Sequence, residues 1–128
     1  MGTEMMCLVW AVALCVAQMV VGALGATQAV GLGTLAGNRE GMKEIGGWTG
    51  RALRAHRNML ESLVLFAALV LVAKVAGKTD AQTALGAQMF LWARLAYAVI
   101  YVAGLPWIRT GAWVVSIVGL VMIFVRLI

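Results

Sequence analysis

The sequence predicts an all-α integral membrane protein, a bundle of four transmembrane helices in a single domain of residues 1–128. The chain is 63% hydrophobic and 12% charged, whereas soluble domains are about half apolar and a quarter charged. Its apolar residues also gather into four stretches, each near or above the ~20 residues that a bilayer-spanning helix needs. The net charge of +5 is spread along the chain, which favours membrane orientation over nucleic-acid binding.

The first span is predicted over residues 5–36. This stretch is longer than a span needs, so we expect its end to tilt or to protrude. Small residues recur in it at every fourth position: Gly25, Ala29, Gly33 and Gly37. Such a ladder either admits a second helix at close range or reflects how common glycine is in membrane helices, and the sequence leaves both interpretations open.

A polar, glycine-rich loop separates this span from the second one, predicted over 49–76 with Thr49 as its N-cap. A turn at residues 77–80 follows, in which Thr79 or Asp80 caps the third span, predicted over 81–104. Pro106 ends that helix because proline cannot continue it. The fourth span is predicted over 107–128, starting at Trp107 or Thr110.

The lysines and arginines are unequally divided between the two ends of such a bundle. The end with the first and third loops carries Arg39, Lys43, Arg51, Arg54, Arg57 and Arg109, and the other end carries Lys74, Lys78 and Arg126. By the positive-inside rule, we expect both loops in the cytoplasm and both termini on the opposite side, as for a bacterial inner-membrane protein. Tryptophans of the loop end are expected at the interface, namely Trp48, Trp107 and Trp113.

The second span opens with the densest group of polar side chains in the sequence. Arg54, Asn58 and Glu61 stand at i, i+4 and i+7, so they share one helix face. Arg57 and Glu61 form a further i, i+4 pair. A carboxylate beside an apolar run needs a partner, because an unpaired charge in a span costs about 2.5–3.5 kcal/mol on insertion scales.

The third span contains Arg94 near its middle, and Tyr97 and Tyr101 follow on the same face. Counting ~1.5 Å per residue from the loop end places Glu61 at the depth of Arg94 to Tyr97. The sequence shows no other carboxylate inside a predicted span. We therefore expect Glu61 to contact Arg94, within a subunit or across an interface, and this pair alone is consistent with a purely structural role.

The cations at the loop end outnumber what one ion pair requires. Arginines facing a single glutamate predict an anionic ligand that enters from the cytoplasm and carries carboxylates. His56 has no Cys, Asp or second His at metal-ligand spacing, so we expect a structural hydrogen bond there and no metal.

The string Arg54-Ala-His56-Arg57-Asn58-Met-Leu-Glu61, followed by Arg94, Tyr97, Tyr101 and Arg109, resembles the signature of the MAPEG superfamily (membrane-associated proteins in eicosanoid and glutathione metabolism). The resemblance implies a four-helix bundle that assembles as a homotrimer. It further implies glutathione at the subunit interfaces, open to the cytoplasm, and hydrophobic small molecules that arrive through the lipid bilayer.

The same resemblance implies a role for each matching residue. Arg57, Asn58 and Glu61 would hold the charged ends and the amine of glutathione, and Tyr97 and Tyr101 would line the same cleft. Arg109 would hold the thiol as thiolate, assisted by the Thr110 hydroxyl. Arg54 and Arg94 are counted with the glutathione-binding set.

The function implied is a membrane-bound glutathione-dependent transferase or peroxidase acting on lipophilic electrophiles. An arginine near the thiol would lower its pKa, so more nucleophile would be present at neutral pH. The alternative is a non-catalytic membrane module that binds lipid or a partner protein, and a small transporter subunit is a weaker third option.

Overall fold

The computed structural model describes residues 1–128 as five helices without a strand. The helices are α1 (Thr3–Val30), α2 (Leu32–Ala36), α3 (Gly47–Val75), α4 (Ala81–Ala103) and α5 (Pro106–Leu127). All but α2 are long and apolar enough to cross a membrane. The chain is therefore an integral membrane protein built on four spanning helices.

The first span ends earlier than the sequence suggested, because the chain breaks at Gly31. This glycine has φ 87°, in the left-handed region that only glycine adopts readily. The 28 residues of α1 rise about 42 Å at ~1.5 Å each, which already exceeds the ~30 Å hydrocarbon core. The short α2 is thus a separate segment beyond the membrane-spanning length.

Only one residue of the small-residue ladder admits a second helix. A Cβ built on Gly25 would lie 2.7 Å from Thr49 Oγ1, whereas one on Gly33 would meet nothing within 4 Å. Thr49 is consequently buried against α1, and the prediction that it caps α3 is wrong. That helix begins at Gly47, and its N-cap residue is Gly46.

The helices α4 and α5 also cross at close range, at a contact that was not predicted from the sequence. A Cβ on Gly86 would lie 2.7 Å from the carbonyl oxygen of Gly119, and one on Gly119 would lie 2.5 Å from that of Gly86. The two backbones approach this closely because neither position carries a side chain. This contact fixes the spacing of the helices that carry Tyr101 and Arg109.

The core of the bundle sets the relative height of α3 and α4. Phe66 and Phe90 stack with ring centroids 4.1 Å apart and an interplanar angle of 18°, an arrangement worth about 0.5–1.5 kcal/mol beyond the area it buries. Met59, Val70 and Ile123 are fully enclosed in the same cluster. The two helices are therefore held in one register. In this register, the polar side chains near the start of α3 lie beside the end of α4.

Polar side chains connect the helices at the termini end of the bundle, the end that carries both chain termini. Asp80 is the N-cap of α4 and forms a reciprocal capping box with Thr83, as predicted for one of the two candidate caps. The Thr83 hydroxyl also donates to Glu4 Oε1 over 2.9 Å, and Glu4 is only 6% exposed. Glu61 is therefore not the only carboxylate on a spanning helix, because Glu4 is buried on α1.

Candidate functional site

A polar cleft of about 250 Å³ lies between α3, α4 and α5 at the loop end of the bundle. The residues that line it are Asn58, Tyr97, Tyr101, Arg109, Thr110 and Trp113. All of these except Trp113 were candidate site residues in the sequence. The sequence predicts Trp113 as an interfacial anchor, and the structure adds it to the cleft, one turn after Arg109 on α5.

The tyrosines of α4 form one wall of the cleft. Tyr97 and Tyr101 are one turn apart, and their rings meet edge to face with centroids separated by 5.5 Å. The Arg54 Nε donates to the Tyr101 hydroxyl over 3.2 Å, so a cation of α3 reaches the cleft rim through this tyrosine. The hydroxyl of Tyr101 is thereby oriented by a charged group.

The first turn of α5 forms the opposite wall. Pro106 starts this helix because its fixed φ suits the first helical position. The Arg109 guanidinium lies 4.5 Å from the centre of the Tyr101 ring, a distance typical of a cation–π contact. The Thr110 hydroxyl donates to the carbonyl oxygen of Pro106 over 3.1 Å, so its oxygen remains available as an acceptor.

Arg109 has no carboxylate partner within the chain. The ion pair that the structure contains joins Arg126 to Asp80 at the opposite end of the bundle. The charge of Arg109 is thus held in place by an aromatic ring and is left available to an anion in the cleft.

Arg94 is buried beneath this cleft, 1% exposed, with its guanidinium 4.2 Å from the centre of the Tyr97 ring. None of its three guanidinium nitrogens has a hydrogen-bond partner. The predicted contact with Glu61 is not formed. Because the same three nitrogens are enclosed by the chain itself, a residue of another subunit does not reach them in this conformation either.

The two side chains differ in exposure, because Arg94 is enclosed in the bundle whereas Glu61 is exposed on α3. The α3 helix turns Met59 and Ser62 into the core, which leaves Glu61 on its exposed side. Arg57 is exposed on the same side of the helix. Periodicity places Arg57 and Glu61 on one face of α3, but it does not reveal which side chains of the neighbouring helices this face meets.

Asn58 connects the exposed polar face of α3 to the cleft. Its side chain lines the cleft, and its Oδ1 is buried without a hydrogen-bond partner. A buried amide oxygen without a partner costs about 1–3 kcal/mol. His56, two residues earlier, is half-buried.

The lining suits binding and polarisation of a ligand. A guanidinium, two phenol groups, an amide and a hydroxyl line the cleft, and these groups recognise carboxylates, amines and other small polar groups. No cysteine, serine or lysine lines it. Hydroxyl groups are weak nucleophiles without an adjacent base, and here the Thr110 hydroxyl donates to a backbone carbonyl while the Tyr101 hydroxyl accepts from Arg54.

Comparison with known proteins gives one match. The model of the MAPEG family matches residues 5–128, nearly the whole chain. No curated protein and no solved structure gives a match.

Proposed function

Because the chain belongs to the MAPEG family, we propose that it is a membrane-bound glutathione-dependent transferase or peroxidase acting on lipophilic electrophiles. The family includes glutathione-dependent transferases as well as non-catalytic members. The observation that carries the proposal is the cleft in which Arg109, free of any carboxylate, faces Asn58 and the two tyrosines. This lining suits an anion, and neither the Thr110 hydroxyl nor the Tyr101 hydroxyl is hydrogen-bonded to a base that would activate it.

Glutathione fits the charges around this cleft. It carries two carboxylates, for which Arg54 at the cleft rim and the exposed Arg57 are donors, and one ammonium group, for which the exposed Glu61 and the Asn58 amide that lines the cleft are acceptors. Guanidinium groups bind carboxylates through paired hydrogen bonds. Arg94 takes part through its charge, since its nitrogens are enclosed beneath Tyr97.

Glutathione also supplies the nucleophilic sulfur that the cleft lacks. A guanidinium beside a thiol lowers the thiol's pKa, so a larger fraction is ionised at neutral pH. Arg109 is the residue proposed for this task, because its charge is unpaired and is fixed against Tyr101. The Thr110 oxygen, whose own proton goes to the Pro106 carbonyl, accepts a hydrogen bond from the bound peptide.

One chain supplies only part of such a site, which supports assembly as a homotrimer with glutathione between subunits. The cleft measures about 250 Å³, below the ~300 Å³ at which small-molecule pockets usually begin. Glu61 is exposed at the depth of an apolar span, where an uncovered charge costs about 2.5–3.5 kcal/mol. A neighbouring copy that covers Arg57 and Glu61 would enlarge the cleft and shield the charge of Glu61. The family resemblance implies that three copies assemble.

The proposed arrangement brings the two reactants from different phases. Glutathione enters at the loop end, which the excess of lysine and arginine assigns to the cytoplasm. The electrophile arrives through the bilayer between helices, since the spans are apolar on their outer faces. The two molecules then meet at Arg109 in the first turn of α5.

Calorimetry and conjugation kinetics on the purified protein in detergent test this function. We expect saturable glutathione binding and conjugation of a lipophilic aryl halide. In Arg109→Ala, kcat/KM should fall about 10²-fold, the usual cost of one group that stabilises developing or transferred negative charge. Arg39→Ala, which removes an exposed loop arginine, should react at the wild-type rate.

Absence of saturable binding, or an unchanged rate in Arg109→Ala, would overturn the proposal. Saturable binding without turnover of an aryl halide or an organic hydroperoxide would instead identify a non-catalytic module.

A further inference from the structure

An apolar groove runs along α1 where this helix faces α4 and the first turns of α3. It consists of two adjoining cavities of about 500 Å³ and 360 Å³. They share Leu14, Ala17 and Leu95. The residues of α4 that line it lie on a different face of that helix from Tyr97 and Tyr101, so the groove is separate from the polar cleft.

The groove has the length of one lipid leaflet. Its lining on α1 extends from Trp10 to Val21, a rise of about 17 Å at ~1.5 Å per residue. Half of a hydrocarbon core of ~30 Å is about 15 Å. Its inner end lies near Trp92, at mid-helix in α4, and its other end reaches Val102 close to the loop end. These dimensions match a single acyl chain of the loop-side leaflet.

A cation stands at the mouth of the groove. Arg51 Nε donates to the carbonyl oxygen of Val102 over 2.9 Å, which holds the half-buried guanidinium beside the groove lining. Gly104 follows with φ 83°, and a Cβ there would lie 3.5 Å from Arg51 Nε, so no side chain from that position covers the arginine. Arg51 forms no ion pair within the chain.

One polar side chain interrupts the apolar lining. Gln18 lines the groove about one helical turn inward from its mouth, and its Oε1 is buried without a partner. An unsatisfied amide is costly where no water is present. This depth, just below a headgroup held at Arg51, is where the polar glycerol region of a phospholipid would lie.

We propose that this groove binds one anionic phospholipid, with an acyl chain along α1 and α4 and the phosphate on Arg51. Arginine binds phosphate oxygens bidentately, and the groove offers an apolar length that ends at this charge. The bound lipid joins α1 to α4 on a surface away from the cleft. The proposal is therefore independent of the glutathione chemistry, and either stands if the other fails.

Native mass spectrometry of the full-length protein, titrated with dioleoyl phosphatidylglycerol or dioleoyl phosphatidylcholine, tests this site. We expect the first lipid to bind at least about fivefold more tightly, the ratio that one basic residue near a lipid surface provides. Arg51→Gln should abolish this preference, and Arg51→Lys should restore most of it. Ala17→Phe, which fills the groove at an exposed position shared by both cavities, should weaken the binding of both lipids.

Matched controls separate this site from general lipid contact. Arg39→Gln removes another arginine whose Nε donates to a backbone carbonyl, and Ala68→Phe enlarges an exposed alanine of α3 outside the groove. Both should bind lipid as the wild type does. Equal affinity of the wild type for the two lipids, or wild-type binding by Ala17→Phe, would overturn the proposal. Crosslinking of Ala17→Cys to a second copy would do so as well, because it would place protein in the groove.

Discussion

Arg94 carries its charge inside the bundle without a carboxylate beside it. The central carbon of its guanidinium lies 4.2 Å from the centre of the Tyr97 ring, and this ring in turn lines the cleft. A cation in a medium of low dielectric constant attracts an anion over several ångströms. We therefore expect Arg94 to contribute electrostatically to ligand binding, at the expense of the stability of the free protein.

Replacement of this arginine tests that assignment. Arg94→Met keeps much of the side-chain volume and removes the charge, so the free energy of unfolding should stay constant or rise by about 1–4 kcal/mol. The Kd for glutathione should increase about tenfold, which corresponds to ~1.4 kcal/mol of lost attraction. Denaturant unfolding and calorimetry measure the two quantities. A destabilisation of about 3–5 kcal/mol would show that Arg94 is part of an ion pair.

Asp80 is the second residue whose charge state matters to the fold. The backbone N–H of Thr83, followed by Arg126, holds the pKa of this carboxyl below its usual range. A carboxyl whose pKa is lower in the folded state stabilises the protein above its unfolded pKa of about 3.9, and this contribution is lost as the pH falls through the folded value. Stability should therefore decline in acid.

The Asp80→Asn variant isolates this effect, because asparagine caps a helix as well as aspartate does but does not titrate. We expect its Tm to depend less on pH below about pH 4 than that of the wild type. Asp80→Ala should lower Tm at every pH, since it removes the cap itself. Equal acid slopes for the wild type and Asp80→Asn would contradict the account.

For α3, the sequence predicts which residues share a helix face but not the direction in which that face points. A period of 3.6 residues placed Arg54, Asn58 and Glu61 on one face, of which Arg54 and Glu61 are exposed and Asn58 is half-buried at the cleft. The missing information was the direction of this face, which depends on tertiary packing around Phe66 and Phe90. The same limit applies to Glu4, whose burial depends on Thr83 of a distant helix. A single residue near a terminus gives no periodic signal.

The crossing of α4 and α5 gives a test at the same scale. Gly119→Ala would place a Cβ 2.5 Å from the carbonyl oxygen of Gly86, so the helices must separate, at a cost of about 1–3 kcal/mol. Gly111→Ala on the same helix meets nothing within 4 Å and should stabilise by about 0.5–1 kcal/mol through helix propensity. Thermal unfolding compares them. If both variants were equally stable, the close crossing would be refuted.

The bundle as a whole has two chemically different ends. At the termini end, Asp80 pairs with Arg126, and Lys78 Nζ donates to the carbonyl oxygen of Leu127. At the loop end, Arg109 remains unpaired beside an open polar cleft. Hydropathy was sufficient to predict the four spanning helices, because bilayer thickness constrains apolar length directly. The cleft depended on the family resemblance, since spacing within one helix does not reveal which residues of three helices meet.

The distribution of lysine and arginine predicts that the loop end of the bundle faces the cytoplasm. Lys43→Cys marks the first loop and Thr79→Cys the turn before α4. In intact spheroplasts we expect a membrane-impermeant maleimide to label Thr79→Cys and to label Lys43→Cys only after permeabilisation. The native Cys7 and Cys15 are buried and should give little background. The reverse labelling pattern would contradict a cytoplasmic cleft.

The most direct test of the central claim, that Arg109 holds glutathione as a thiolate, is ultraviolet difference absorbance. Glutathione would be titrated into the purified wild-type protein and into Arg109→Ala at neutral pH, with Arg39→Ala as the control. We expect a saturable thiolate band in the wild type and the control, and its loss in Arg109→Ala while calorimetry still detects bound glutathione. A band of equal amplitude in Arg109→Ala, or no band in the wild type despite saturable binding, would contradict the claim.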